Sequence, residues 1–478
     1  MSKLYIFAIG GTGSRVLRSL TMMLAAGMEV EADEIVPVII DPDISNADLT
    51  RAVRLMDSYR NIRKNLDGAS LRPGSFFRRE IKSIAPNYTL KIADTEDKTF
   101  RQFISLSDLG RATGDKSTQA MMRTLFSEKN LDASMNVGFK GNPNIGSVVL
   151  NQIVASEEFE QFAGDFAQGD RIFIISSIFG GTGASGFPLL LKTLRTNREI
   201  PNHHLINNAE IGAVTILPYF RLQVDEESEI DSSTFISKTK SALAYYEQNV
   251  SQNGSINALY FLGDDTGNTY ENHEGGSLQR NDAHLIEFLA ATAVADFAAT
   301  RFEEGAGTVS KEFAIKGDEG PDFGGPVTFS SFYEKDKHLL FPPLTRFMLL
   351  AESLEYKYDY FSSKSFNANN DHFGGLYDSA FMADLRQMMR DFLQWIDELK
   401  ENRRSLDLFK LDNFSDPFDV VTGIPQKSKF FNFKSRYDLI ADRLNSAVNN
   451  CKSGREESRF VEMFALATEK LVTEKFNL

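Results

Sequence analysis

The chain has 478 residues, of which 66 are acidic and 52 basic, for a formal net charge of -14. This balance disfavours nucleic acid as a main partner, since binding phosphodiesters needs a basic surface. A single cysteine excludes an internal disulfide framework and a multi-cysteine zinc site, and we expect a cytoplasmic protein. The amino terminus lacks an apolar stretch as long as a signal peptide or membrane span.

From residue 1 to about 300, strand-like and helix-like segments alternate. Apolar runs of strand length occur at 4–9, 35–40, 171–177, 211–218 and 258–263. Helical segments lie between and after them, and the last, at 285–302, is apolar on nearly every side, as in a buried helix. This alternation predicts an α/β, Rossmann-like fold with a mostly parallel sheet and helices on both faces.

Composition divides the chain into further regions. The segment from about 50 to 130 is rich in charge and predicts an insertion of short helices and loops, while 264–280 and 303–325 are polar and glycine-bearing, which predicts loops. Beyond residue 338, apolar residues recur every three or four positions, which is typical of amphipathic helices. One such stripe, at 381–399, is interpreted as core packing. We predict a sheet domain at 1–302, a connecting region at 303–338 and a helical C-terminal domain at 339–478.

The tetrapeptide GGTG occurs twice, each time directly after an apolar run. A strand that ends in glycines and continues into a helix leaves N–H groups unpaired at the helix start, and the absent Cβ atoms let a phosphate approach them. Tight turns in an α/β sheet are the alternative interpretation of either loop alone. The candidate phosphate-binding residues are Gly10, Gly11, Thr12, Gly13 and Ser14 in the first loop and Gly180, Gly181, Thr182, Gly183, Ala184 and Ser185 in the second.

Three familiar kinds of site are excluded. Neither loop contains GxxxxGK[ST], so backbone amides rather than a lysine would hold a phosphate. Ser185 is not expected to be an esterase nucleophile, because Phe187 replaces the second glycine of a nucleophile elbow. The six histidines do not fall at metal-ligand spacing.

Four further segments complete a pattern of six loops: DPDISN at 41–46, GFKGNPNIG at 138–146, AVTILPYF at 213–220 and RNDAHLIEF at 280–288. Together with the glycine loops they resemble the tubulin and bacterial cell-division GTPase superfamily, and most closely the bacterial tubulin-like proteins found beside von Willebrand factor A domain partners. The resemblance spans residues 3 to about 302. Its matching residues outside the glycine loops are Asp41, Asp43, Gly141, Asn142, Pro143, Pro218, Asn281 and Asp282.

The resemblance implies GTP or GDP as the ligand, with Mg²⁺. It places Asn281 and Asp282 at the base, where a carboxylate can accept from both N1–H and the N2 amino group of guanine, a match that adenine does not offer. Helix capping is the alternative role of this pair. Asp41 and Asp43 are expected to hold water around Mg²⁺, or else to lie in a solvated turn.

The chain departs from the family after the helix predicted at 285–302, which corresponds to the family's central helix. Polymerising members carry an Asn-x-Asp-x-x-acid loop there, which reaches the next subunit's nucleotide, and 300–336 has no such spacing. We expect a slow or assembly-dependent GTPase, or a nucleotide-dependent switch, in the bacterial cytoplasm, with no membrane insertion. Self-association or a protein partner is expected to use the helical C-terminal domain. The scattered acids of this region are Glu303, Glu304, Asp318, Glu319, Asp322, Glu334 and Asp336.

Two other functions stay open. The segment 41–51 and the first glycine loop also resemble E1-like adenylating enzymes, although the cysteine pairs of that family are missing and it has no use for a second GGTG loop. A scaffold that binds nucleotide without hydrolysing it is the other alternative. The residues that match the adenylating enzymes are Asp41, Asp43, Ser45, Asn46 and Arg51.

Overall fold

The structure is a computed structural model of the chain. It describes residues 2–93, 95–112, 116–135, 138–139, 141–222, 235–264, 269–270, 276–278, 280–303, 305–312, 325–363, 372–411, 420–427 and 436–476. The strands and long helices of these residues surround one continuous hydrophobic core.

A parallel sheet forms the centre of the molecule. The strands of the described residues are β1 (Lys3–Ile9), β2 (Glu34–Ile40), β3 (Glu80–Ile81), β4 (Arg171–Ser177), β5 (Ile211–Ile216), β6 (Arg221–Leu222), β7 (Ala258–Leu262), β8 (Thr269–Tyr270) and β9 (Val309–Glu312). Among these residues, β6 and β8 pair separately, and the other strands form one seven-stranded sheet in the order β3–β2–β1–β4–β5–β7–β9. All of its pairs are parallel, so the predicted α/β fold is confirmed.

Helices connect the strands and make up the C-terminal part of the chain. Those of the described residues are α1 (Gly10–Ala26), α2 (Ala47–Arg63), α3 (Phe100–Phe103), α4 (Leu106–Ala112), α5 (Lys116–Leu125), α6 (Glu128–Leu131), α7 (Pro143–Val149), α8 (Glu157–Asp165), α9 (Gly181–Thr196), α10 (His203–Ile206), α11 (Phe235–Tyr246), α12 (Leu285–Ala299), α13 (Glu334–Glu355), α14 (Tyr358–Ser362), α15 (Ala380–Glu401), α16 (Arg436–Ala447) and α17 (Glu456–Lys475). Among the described residues, none of the helices combines the length and apolarity needed to cross a membrane.

Helices cover both faces of the sheet. Phe173 of β4 packs on Phe297 of α12, with ring centroids 5.3 Å apart. Ile174, the next residue of β4, points to the opposite face and is in register with Phe7 of β1. The Phe7 ring lies 5.0 Å from the ring of Phe162 in α8. The inner strands are therefore buried on both sides, which explains their unbroken apolar sequences.

The C-terminal helices pack directly on the sheet domain. Trp395 of α15 stacks on Phe288 of α12 at 5.9 Å, and its indole N–H donates to the Ser19 hydroxyl of α1 at 3.3 Å. Phe392 of α15 contacts Phe347 of α13 at 4.9 Å, which joins the next helix to the same layer. The helical C-terminal region is confirmed, whereas its division from the rest as a separate domain stays a prediction.

Three loop predictions differ from the structure. Within 264–280, where we predicted a loop, Thr269–Tyr270 forms the short strand β8 paired with β6. Within 303–325, where we predicted a loop, Val309–Glu312 forms the edge strand β9 alongside β7. The segment 50–130 contains most of the long helix α2 and the edge strand β3, in addition to short helices. Edge strands need no continuous apolar run, so neither β3 nor β9 carries the sequence pattern of the inner strands.

Candidate functional site

The two glycine loops lie side by side. They follow β1 and β4, which are neighbouring parallel strands, and they lead directly into α1 and α9. Gly10 has a φ of +73°, a conformation that favours glycine, and a Cβ atom there would lie 3.5 Å from the Cβ of Thr182. A Cβ atom on Gly138 would in turn lie 3.8 Å from the Thr182 hydroxyl oxygen. Thr182 therefore marks the point where three loops meet.

Both helices start without a side-chain cap. Their N-caps, Ile9 and Gly180, provide no side-chain hydrogen bond, and neither first turn contains an acidic residue. The first N–H groups of each helix thus donate no hydrogen bond to the side chain of the N-cap residue. A helix start favours an anion by roughly 0.3–1 kcal/mol at an exposed site, so two adjacent ones form a suitable anion site.

Two glycines of these loops are required by packing. A Cβ atom on Gly13 would lie 2.6 Å from the carbonyl carbon of Ala8, and one on Gly183 would lie 2.5 Å from the carbonyl oxygen of Ser177. Each helix therefore starts in close contact with its own strand. Both roles of glycine that the sequence suggested, the tight junction and the open helix start, occur in the same loops.

The Gly-Asn-Pro segment packs against the second glycine loop. A Cβ atom on Gly181 would lie 3.0 Å from the backbone nitrogen of Asn142. The Asn142 side chain caps α7 by accepting from the backbone N–H of Asn144 at 3.1 Å, and Pro143 occupies the first turn. Gly141 has a φ of +70°, and its carbonyl oxygen accepts from Lys238 Nζ at 2.9 Å.

The hydroxyl groups of the glycine loops have different surroundings. Ser185 donates to the Gly181 carbonyl at 2.7 Å within α9, consistent with the absence of a nucleophilic role. The Thr12 hydroxyl accepts from Arg15 at 3.2 Å. Ser14 is fully buried, and its hydroxyl has no hydrogen-bond partner among the described residues.

The acidic loop after β2 is buried. The side chain of Asp41 accepts from the backbone N–H of Asp43 at 3.1 Å, and Asp43 accepts from the Ser45 hydroxyl at 2.9 Å and from the Gly276 N–H at 2.6 Å. Burial raises the pKa of Asp41 to about 7, and the carboxylate of Asp43 adds to this effect. The alternative of a solvated turn is therefore wrong, since both residues are under 5% exposed.

The described residues contain no group of three or more histidine, cysteine, aspartate or glutamate residues that could hold a metal ion. A protein-bound Mg²⁺ commonly uses one or two carboxylates together with substrate phosphates and water. Asp41 and Asp43 could supply the one or two carboxylates that such a site needs.

A buried charged cluster lies beside the first loop. Arg15 of α1 donates to Glu287 of α12 at 2.5 Å, to Asp48 of α2 at 3.0 Å and to the Tyr219 hydroxyl at 2.8 Å. The Tyr219 hydroxyl donates to Glu287 at 2.9 Å. Burial opposes the charge of Arg15, but Tyr219, Glu287 and Asp48 together raise its pKa well above its ordinary value. We name these four residues the Arg15 cluster.

The carboxylates of the Arg15 cluster respond differently to burial. Burial raises the pKa of Glu287 despite the nearby guanidinium. Burial also opposes the ionisation of Asp48, but Arg15 and hydrogen bonds from Asn281 lower its pKa below the ordinary value. Sequence analysis missed this cluster. The signal that could have found it is Glu287, a glutamate within the apolar first half of α12, because a buried charge requires a partner.

Asn281 and Asp282 precede the central helix and have separate environments. The backbone N–H and side-chain amide of Asn281 donate to the Asp48 carboxylate at 3.0 and 2.8 Å. The side chain of Asp282 is exposed. The capping alternative for this pair is wrong, because His284 caps α12: its Nδ1 accepts from Ile286 N–H at 3.1 Å.

Pro218 lies just after β5 and directly before Tyr219 of the Arg15 cluster. The next residue, Tyr219, belongs to that cluster, and its ring packs at 6.3 Å from Phe179, which directly precedes the second glycine loop. Phe179 also contacts Phe220 at 5.5 Å. The Pro218 segment therefore lies next to the second glycine loop.

A C-terminal residue reaches the same region. Glu398 of α15 accepts from Arg18 of α1 at 3.1 Å and from the backbone N–H of Ala283 at 2.9 Å. Burial opposes its ionisation, but Arg18 lowers its pKa below the ordinary value. The helical stripe at 381–399 was interpreted only as core packing, and Glu398 lies on the polar part of that helix.

The residues that match adenylating enzymes have local structural roles. Asn46 caps α2 by accepting from the backbone N–H of Asp48 at 2.8 Å. Arg51 pairs with the Asp48 carboxylate at 2.6 Å. These contacts account for Asn46 and Arg51 without a substrate.

Three of the acids after the central helix lie within the described residues. Glu303 is exposed, Glu334 is exposed and pairs with Lys337 at 2.5 Å, and burial raises the pKa of Asp336. Glu304, Asp318, Glu319 and Asp322 lie outside the described residues.

Comparison with known proteins gives only distant likenesses, all of them to solved structures. No protein-family model and no curated protein matches the chain. Among solved structures, it is similar to CetZ2 from Haloferax volcanii, in a structure described as a GTPγS-bound protofilament, with 14% sequence identity and a TM-score of 0.29. The match covers 63% of this chain and spans 59% of the length of the CetZ2 chain.

Proposed function

We propose that the chain is a tubulin-like guanine-nucleotide-binding protein. The observation that carries this proposal is the meeting of three loops at Thr182, beside two uncapped helix starts on neighbouring strands. Neither glycine loop contains a lysine of the P-loop kind, so backbone N–H groups would hold the phosphates. CetZ2, whose structure is described as GTPγS-bound, would then share its class of ligand with this chain.

Each part of the nucleotide has candidate partners. The phosphates would contact the glycine loops 10–14 and 180–185, with the Gly-Asn-Pro loop 141–143 closing one side. Asp41 and Asp43 would hold water on a Mg²⁺ ion, which would neutralise phosphate charge there. Deprotonation of Asp41 would accompany this binding, since its pKa of about 7 leaves it partly protonated at neutral pH.

The base would be read by Asp282. Its exposed carboxylate has room to accept from N1–H and the N2 amino group of guanine, whereas the amide of Asn281 is engaged by Asp48. We therefore propose different roles for the pair. Asn281 positions the segment, and Asp282 contacts the ligand.

Calorimetry with GTP and ATP tests this proposal. We expect Asp282→Asn to weaken GTP binding by about tenfold or more while leaving ATP binding unchanged, because the charged two-point acceptor is lost. Thr182→Val should weaken binding of both nucleotides, since its hydroxyl lies where the loops meet. Asp359→Asn, at an exposed aspartate of α14, and Thr196→Val, at the far end of α9, are the matched controls.

Equal affinity of the unmodified protein for ATP and GTP would overturn the guanine assignment. Exchange of pyrophosphate into ATP in the presence of a protein substrate would instead establish the adenylating alternative.

We propose a slow GTPase or a nucleotide-dependent switch, with the helical region as the surface for self-association or a protein partner.

A further inference from the structure

Asparagine is followed by glycine at a single place in the chain, Asn253 and Gly254. The pair lies in the turn between the helical segment Glu247–Ser251, which continues α11, and strand β7. Both residues are exposed, and Gly254 has a φ of +71°. Because the turn precedes β7 in a parallel sheet, it lies at the opposite edge of the sheet from the glycine loops.

The side-chain amide of Asn253 is held at both ends. Its Oδ1 accepts from the backbone N–H of Ser255 at 3.0 Å, and its Nδ2 donates to the carbonyl oxygen of Asn249 at 2.6 Å. When a nucleophile attacks Cγ, negative charge develops on Oδ1, and the Ser255 N–H stabilises that charge as a donor of an oxyanion hole does. The turn thus presents an exposed amide with a polarised carbonyl carbon.

A nucleophile lies next to this carbon in the chain. The backbone N–H of Gly254 makes no hydrogen bond among the described residues, so its nitrogen is not engaged elsewhere. A Cβ atom on Gly254 would have nothing within 4 Å, and glycine resists the backbone rotation of a ring closure least. Since the two reacting atoms belong to neighbouring residues, they meet without diffusion.

We propose that Asn253 is a site of spontaneous covalent modification, in which water converts the asparagine into aspartate and isoaspartate. The Gly254 nitrogen loses its proton to water and bonds to Cγ, the bond from Cγ to Nδ2 breaks, and Nδ2 takes up a proton and leaves as ammonia. Water then opens the resulting succinimide ring at either carbonyl carbon, and the proton returns to the nitrogen. This reaction does not depend on the proposed nucleotide site.

Both products disturb the start of β7. A carboxylate at position 253 cannot donate to the Asn249 carbonyl, and it places negative charge at the C-terminal end of a helix, where it is unfavourable. Isoaspartate lengthens the main chain by a methylene group just before Ser255, whose carbonyl oxygen accepts from Arg195 Nε at 2.6 Å. We therefore expect the modified chain to unfold at a lower temperature.

Ageing of the full chain at mildly alkaline pH, followed by peptide mapping with mass spectrometry, tests the proposal. We expect Asn253 to convert at least about tenfold faster than Asn208. Asn208 is the matched internal control, because it is exposed and its amide also donates to a carbonyl four residues earlier, that of His204 at 2.8 Å, whereas Ala209 follows it. The rate at Asn253 should rise with pH, since the attacking nitrogen must lose its proton.

Two outcomes of this mapping would overturn the proposal. One is equal conversion of Asn253 and Asn208. The other is the absence of conversion in the folded chain under conditions that convert a free peptide of residues 247–258, because the fold would then protect the amide.

Variants separate the two reacting groups. Gly254→Ala keeps the asparagine but adds a Cβ atom beside the attacking nitrogen, and it should slow conversion by about tenfold. Asn253→Gln should show no conversion in the same period, because its longer side chain must close a larger ring. After ageing, the melting temperature of the unmodified chain and of the control Asn208→Gln should fall, whereas Asn253→Gln should keep its own starting value. An equal fall in all three proteins would contradict the effect on β7.

Discussion

Arg15 connects the first glycine loop to three other parts of the chain. Its guanidinium reaches α2, α12 and the segment after β5, and all of these contacts are buried. A buried cation with two carboxylate partners contributes little net stability when intact, but removing it leaves uncompensated charge. The Arg15 cluster therefore fixes which residues lie beside the first glycine loop.

We predict that Arg15→Met lowers the free energy of unfolding by about 3–5 kcal/mol. The matched control is Arg54→Met, which removes an arginine that is 62% exposed and pairs with Asp391. The control should change stability by no more than about 1 kcal/mol. Urea unfolding of both variants measures the difference, and equal losses would contradict a special role for the cluster.

At the residue scale, sequence reasoning found the glycines but not the charges around them. The glycine loops are contiguous, and the chemistry of a strand-to-helix junction is local. Arg15 and Glu287 are 272 positions apart, and only the fold brings them together. The separate environments of Asn281 and Asp282 likewise depend on Asp48, which lies on another helix.

His284 determines how the central helix begins. Its Nδ1 accepts from Ile286 N–H, which requires a neutral imidazole, and Glu287 accepts from its backbone N–H at 3.2 Å. Burial lowers the pKa of His284 from 6.5 to about 4. The start of α12 is thus sensitive to acid.

We predict that the chain loses stability as pH falls from about 6.5 to about 4. In this window the unfolded chain binds a proton at His284 that the folded chain does not, so unfolding is favoured by about 3 kcal/mol at the lower limit. His284→Asn keeps a side-chain acceptor at the cap without titrating. Its unfolding free energy, measured against pH, should fall less steeply than that of the unmodified chain.

Comparing the pH profile of the unmodified chain with that of His284→Asn isolates the contribution of His284 to the free energy of unfolding. Asp41, with its raised pKa, contributes in the opposite sense, because its stabilising proton is lost as pH rises towards about 7. That contribution is common to both proteins and cancels in the difference. Parallel pH profiles would contradict the role of the cap.

At the element scale, the inner strands were predictable within two residues at their ends. Their apolar runs follow from burial on both faces. The polar edge strand β9 was not predictable, because its sequence, VSKE, fits a loop equally well. Residues 10–14 were predicted as a loop, whereas α1 already begins at Gly10. Glycines have weak helix propensity, and this helix start is held by its close packing on β1.

At the scale of the whole molecule, the helical C-terminal region and the site belong to one packed body. Glu398 holds both α1 and the segment before α12, so α15 contacts two parts of the proposed nucleotide site. The region could be predicted as helical from its periodicity. The contacts that Glu398 makes with α1 and with the segment before α12 could not be predicted, because its position on an amphipathic helix is like that of any other polar residue.

We predict slow GTP turnover that changes little per chain as protein concentration rises. A water-activating acid delivered by a neighbouring subunit would make the rate climb with assembly, and 300–336 lacks the spacing that supplies it. Turnover measured over a dilution series, with sedimentation of the same samples, checks this expectation. Filaments that pellet with GTP and turn over faster as they form would overturn it.

The position of Trp395 gives the protein an internal optical reporter. It is the chain's one tryptophan, so the intrinsic emission comes from a single place. Its ring is stacked on Phe288 and its indole N–H donates to Ser19, and each of these residues lies a few positions from a segment proposed to contact the nucleotide. Any rearrangement of α1 or α12 alters the surroundings of this ring. The emission spectrum of Trp395 can therefore report movements of these two helices without an added dye.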